Sequence, residues 1–186
     1  MKKTIKQKTV ITLASLGLAC SSVVVFANTA KATKSTGSTT QSSLTVDQAK
    51  EKALNESKSG QVIGYEQEAK FGKTVFEITI LDGQNEKEYK IDGQTGDVLK
   101  SKTKDLTKDK DDKQLINASY KIDLAGAESQ VKSKYPKSTI EKLQLDVENI
   151  TLVYDVSLTE GKKEIDLELD ANTGQIVEED IETEKD

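Results

Sequence analysis

A chain of 186 residues has room for one or two small domains; with 4% aromatics and no Trp, its apolar residues suit two thin cores better than one large one. All 27 basic residues are Lys, His is absent and the only Cys is Cys20. These absences exclude a Ser-His-Asp triad, a Cys-His dyad, a His-ligated zinc site, a Cys cluster, an arginine clamp and an intrachain disulfide.

The first element in chain order is an export signal. Lys2, Lys3, Lys6 and Lys8 precede an uncharged apolar stretch from Val10 to Ala27, and small residues follow. The expected signal peptide is 1–27, with cleavage as late as residue 32 after Ala30-Lys31-Ala32. An uncleaved anchor and lipidation at Cys20 are the alternatives, and each places the rest of the chain outside the cytoplasm, secreted or at the cell surface. Beyond residue 27 there are 23 Lys against 32 acids, a net charge of −9. Nucleic acid is therefore not expected as a partner, nor membrane contact by the mature domains. Residues 28–43 are rich in Ser and Thr and read as a flexible tether.

The remainder repeats itself. At an offset of 78 residues, VFEITILDG at 75–83 falls on VYDVSLTEG at 153–161, and IDGQTGDV at 91–98 falls on LDANTGQI at 169–176. Leu44-Thr45 falls on Ile122-Asp123, and Ala49 on Ala127.

In the first copy Thr45 is the N-cap of a helix and Gln48 completes a capping box, with Val46, Ala49 and Ala53 on one face. In the second, Asp123 is the cap, Gly126 replaces the box residue, Leu124, Ala127 and Val131 form the face, and Pro136 ends the helix.

Three strands follow in each copy. The first is predicted over Gln61–Phe71 and Thr139–Glu148, the second copy showing Leu143, Leu145 and Val147 in alternation. The next carries Phe76, Ile78 and Ile80, matched by Tyr154, Val156 and Leu158. The third carries Tyr89 and Ile91, matched by Ile165, Leu167 and Leu169. Period-two alternation means one buried and one wet face, and the helix is the natural cover for the buried one. A turn of the form D-x-x-T-G closes the third strand, with Asp92, Thr95 and Gly96 in one copy and Asp170, Thr173 and Gly174 in the other. Asp can accept hydrogen bonds from the backbone ahead, and Gly supplies left-handed geometry, so these are read as structural turns. A short fourth strand stub begins at Val98 and Ile176.

The fold class is thus α+β: two modules, each one helix on a three- to four-stranded antiparallel sheet in the order α-β-β-β. Module 1 spans 44–100 and module 2 spans 117–180. A charged, mobile linker is expected over 101–116 and an acidic tail over 181–186.

No catalytic, cofactor or metal residues stand out. The acids Asp105, Asp109, Asp111 and Asp112 alternate with Lys and lack calcium-loop spacing. Glu77 and Glu88 sit on wet strand positions with no cleft between unequal environments, as a glycosidase pair would need. The lysines lack the apolar flanks that a Ser-Lys mechanism requires.

A helix opening L-T-x-x-Q-A, a strand V-F-E-I-x-I and a closing D-x-x-T-G-x-V resemble the PepSY family in both copies, over about residues 44–179. The second helix, with Gly126 and Lys132, departs from the pattern. The resemblance implies a helix packed on an antiparallel sheet and a non-catalytic role inhibiting or regulating extracellular peptidases. The expected partner is a secreted peptidase or another extracytoplasmic protein. Without His the chain has no H-E-x-x-H motif, so such inhibition would act in trans. The alternative is a cell-envelope module binding a wall polymer, a small ligand or a partner protein.

Overall fold

The computed structural model describes residues 43–184 apart from Phe71 and Asn117. The expected signal peptide, the tether up to residue 42, Phe71 and the last two residues of the tail lie outside the described residues.

Each repeat folds as one helix followed by four antiparallel strands. The first holds α1 (Val46–Ser57), β1 (Gln61–Lys70), β2 (Lys73–Asp82), β3 (Asn85–Asp92) and β4 (Val98–Asp105). The second holds α2 (Leu124–Lys134), β5 (Thr139–Glu148), β6 (Thr151–Glu160), β7 (Lys163–Asp170) and β8 (Ile176–Thr183).

The caps form as the sequence indicates. Thr45 Oγ1 accepts from Gln48 N at 3.3 Å, and Gln48 Oε1 accepts in return from Thr45 N at 2.9 Å. Asp123 Oδ1 accepts from Gly126 N at 2.8 Å with no reciprocal bond. Helix α2 stops at Lys134, two residues before Pro136, because the ring cannot continue the helical hydrogen-bond pattern.

The alternating residues meet in one core. Ile78, Ile80, Ile91, Leu143, Val156 and their neighbours on β2, β3 and β5–β7 are buried under Ala49 and Ala53 of α1 and Ala127 and Val131 of α2. Three of those four helix positions are alanines, which lets each helix lie close to the sheet. On β3, Tyr89 is only partly buried.

The modules join into a single eight-stranded sheet in the order β4-β3-β2-β1-β5-β6-β7-β8. The joint is an antiparallel pairing of β1 with β5, with Gly64 opposite Gln144, Tyr65 opposite Leu143 and Glu66 opposite Lys142. Leu143 is the repeat-equivalent of Tyr65, 78 residues on, so a pseudo-two-fold axis passes between them. The irregularities obey the same relation. A β-bulge between Val62 and Gly64 on β1 recurs between Ile140 and Lys142 on β5, and a break in the β3–β4 register recurs between β7 and β8.

Three expectations need correction. The fourth strands are not stubs: each has eight residues and pairs with its neighbour along its length. Nearly every side chain of β4 and β8 is exposed on both faces, so neither carries the alternation that reveals a strand. Nor is the charged segment a mobile linker. Its first residues belong to β4, and two 3₁₀ turns follow at Leu106–Lys108 and Asp112–Gln114. Leu106 and Leu115 anchor it in the core, fully buried and 3% exposed, among Lys and Asp that stay in water. Likewise the first residues of the acidic tail are the end of β8.

Candidate functional site

The D-x-x-T-G residues close a turn on their own backbone in each repeat. Asp92 Oδ1 accepts from Gln94 N at 2.8 Å and Thr95 N at 2.9 Å; Gly96, at φ 74°, donates to Asp92 O at 2.8 Å. In the second copy Asp170 Oδ1 accepts from Asn172 N at 2.9 Å, Thr173 N at 2.7 Å and Thr173 Oγ1 at 3.0 Å, and Gly174, at φ 72°, donates to Asp170 O at 2.8 Å. Backbone N–H groups, Thr95 and Thr173 foremost, hold both carboxyls below the usual carboxylate range.

Each turn also ties down the start of its helix. Gly93 O accepts from Leu44 N at 2.6 Å and Ser43 Oγ at 3.2 Å, while Gly93 N donates to Thr74 O at 2.8 Å. Ala171 does the same with Ile122 N at 2.9 Å and Leu152 O at 3.0 Å. Gly93 and Ala171, the residues after the two turn aspartates, therefore knit the leading segment of each helix, the start of the second strand and the end of the third.

The carboxylates considered for chemistry are occupied separately. Glu77 pairs with Lys90 Nζ at 2.5 Å and Glu88 with Lys102 Nζ at 3.1 Å, on different strands. In the 3₁₀ segment Asp105 accepts from Thr107 N at 3.0 Å, Asp109 from Asp111 N at 2.8 Å, and Asp112 pairs with Lys104 at 2.8 Å. Each of these three serves a turn or its own lysine rather than converging on a shared point.

Sequence reasoning did not find the surface that the joint creates. A groove runs between α1 and α2 above the pseudo-two-fold axis, lined by Asp47, Lys50, Gln61, Asp123, Glu128 and Lys132 among others. Lys50 lies at its centre, with Nζ 3.2 Å from Asp47, 3.5 Å from Glu128 and 4.5 Å from the Tyr65 ring centroid. Tyr65 lies beneath Lys50 in the core, 3% exposed. Burial pushes its phenol far above the ordinary value, aided by the Glu128 and Asp47 carboxylates. Among the described residues neither α1 nor α2 packs on the opposite face of the sheet. Lys90, Glu77, Glu66 and Lys142 follow one another across β3, β2, β1 and β5 there. Burial raises Glu66 above the usual carboxylate range, helped by Glu68 and Glu77 and opposed by Lys142 and Lys90.

The signal for the joint was Gly64 inside a strand. A Cβ there would meet Gln144 Oε1 at 1.8 Å and Gln144 Cα at 3.0 Å, so a larger residue would have to displace the Gln144 side chain and press on its backbone. The joint thus creates shallow, polar surfaces on which Lys50 and Glu66 are flanked by opposite charges.

Among solved structures, the fold is similar to that of a putative lipoprotein from Clostridium difficile 630, at 21% identity and a TM-score of 0.47, covering 75% of this chain and 94% of that one. It is also similar to the Bacillus megaterium YpeB C-terminal domain, at 16% identity and a TM-score of 0.36, covering 76% and 66%. No curated protein matches the chain. The family model described as "Peptidase propeptide and YPEB domain" matches residues 43–102 and again 121–180, one match for each helix-and-sheet module. The chain belongs to the PepSY family, as a tandem pair of its domains.

Proposed function

We propose that the chain is an extracytoplasmic, non-catalytic binding protein that inhibits or regulates peptidases in trans. The observation that carries this reading is the match of both modules to a family named for peptidase propeptides. A second fact supports action in trans: the 186 residues contain no His, so they hold no H-E-x-x-H zinc motif of their own to inhibit. The N-terminal pattern of Lys and uncharged apolar residues supports export to the compartment where such peptidases work.

The groove between the helices is the contact surface we assign to this role. It presents Lys50 among the carboxylates of Asp47, Asp123 and Glu128, a pattern that suits a mixed-charge loop or peptide. The test is to titrate the purified chain into secreted metallopeptidases of the thermolysin type. The expected result is inhibition at micromolar protein, weakened about tenfold or more by Lys50→Glu with the fold intact. Full peptidase activity at saturating protein, with the chain retained instead by cell-wall polymer, would contradict the reading.

A further inference from the structure

The two edges of the sheet carry opposite charge on the same face. In β4, Lys100, Lys102 and Lys104 project from the face opposite α1 and α2, beside Lys90, Glu88 and Glu86 of β3. In β8, Glu178, Asp180 and Glu182 project from that face beside Glu168, Asp166 and Glu164 of β7. These are equivalent positions. Seventy-eight residues separate Lys100 from Glu178, Lys102 from Asp180 and Lys104 from Glu182. Each lysine of one edge is an acid on the other. The β7–β8 pair thereby sets three carboxylates directly opposite three more.

The same two strands hold most of the exposed apolar surface. Of six large apolar side chains exposed among the described residues, Val98, Leu99, Val177 and Ile181 lie on β4 and β8. Sheet edges are normally protected, because their free backbone groups pair readily with another strand. Every neighbouring pair in this sheet is antiparallel, so β4 and β8 point in opposite directions. A second copy set beside the first therefore continues an antiparallel ladder.

We propose that copies of the chain associate edge to edge, β4 of one against β8 of the next. Lys102 then stands opposite Asp180, Lys100 opposite Glu182 and Lys104 opposite Glu178. In that register Leu99 faces Thr183 and Ile181 faces Ser101, which covers two of the exposed apolar side chains. The register repeats the joint inside the chain. There Tyr65 faces its own repeat-equivalent Leu143, and here Lys102 faces its repeat-equivalent Asp180. Pairing β4 with β4, or β8 with β8, would set like charges against each other, so the contact is head-to-tail. Within one chain Lys102 and Lys104 reach Glu88 and Asp112, yet their side chains remain 55% and 44% exposed and accessible to a partner.

Charge exchange tests this by sedimentation velocity over a range of concentrations. Variant one carries Lys100→Glu, Lys102→Glu and Lys104→Glu. Variant two carries Glu178→Lys, Asp180→Lys and Glu182→Lys. The wild-type chain is expected to self-associate in low salt, and each variant alone to do so at least about tenfold more weakly. An equimolar mixture of the two variants regains association, because every edge again meets its opposite charge. So does a chain carrying both exchanges, which keeps the test open if one triple variant fails to fold. Wild-type association also weakens from about 20 mM to about 500 mM salt, a readout that needs no variant. A wild-type chain that stays monomeric in low salt, association indifferent to salt, or variants that associate as wild type would each overturn the proposal.

Discussion

The turn aspartates and Glu66 are shifted in opposite directions by their surroundings. Asp92 is held below its usual range by the N–H groups of Thr95 and Gln94, so its folded value lies under its unfolded one. Its contribution is complete above an unfolded pKa of about 4 and disappears as the pH falls through the folded value. Asp170 behaves likewise. Asp92→Asn with Asp170→Asn is expected to lower Tm at pH 7 and to flatten the acid-induced loss of stability, as thermal melts at stepped pH would show. Glu66 has the reverse sign. Burial among Glu68 and Glu77 raises it, so its ionised form opposes folding at neutral pH. Glu66→Gln should raise Tm at pH 7, with the gain vanishing as the pH drops below about 4. The D-x-x-T-G turns were fully legible in the sequence, because every contact they make within the turn lies within five residues. The environment of Glu66 was not, since it depends on Lys142 in the other module.

At the scale of elements, the sequence declared what one buried face can declare. Helices α1 and α2 were visible from Thr45 and Asp123 and from alanines at helical spacing. Strands β2, β3 and β5–β7 were visible from alternation. Removing the cap with Thr45→Ala should cost about 1 kcal/mol in a denaturant titration, since Gln48 N loses its acceptor. Ala49 is fully buried where α1 meets the sheet, and Ala49→Leu should cost about 1–3 kcal/mol by overpacking. A helix standing farther from the sheet would accept the larger side chain without loss. Strands β4 and β8 escaped detection at full length because Lys, Ser, Thr and Glu face water on both sides, and only backbone pairing to β3 and β7 holds them. Leu106 and Leu115 were hidden for a related reason: two isolated apolar residues in a run of Lys and Asp have no period to reveal them.

For the whole molecule, the duplication predicted two modules and left their relation open. The structure resolves it into one sheet with a pseudo-two-fold axis between Tyr65 and Leu143. Nothing in the hydrophobic pattern of β1 or β5 distinguishes a sheet edge from a joint; the single hint was Gly64, whose meaning depends on Gln144 arriving from the second module. Gly64→Val should loosen the joint by about 1–3 kcal/mol while leaving the hairpin of β1 and β2 intact, seen as faster amide exchange at Leu143 than in wild type. The joint also positions Lys50 of α1 within reach of Glu128 of α2, so the groove we assign to partner binding exists only when the modules are aligned this way. Cross-strand nuclear Overhauser contacts across β1 and β5 test this most directly. Contacts between backbone protons of Tyr65 and Leu143, alongside those of Tyr65 with Ile78 and Leu143 with Val156, are the expected result. Intact contacts within each module with none between Tyr65 and Leu143 would contradict it.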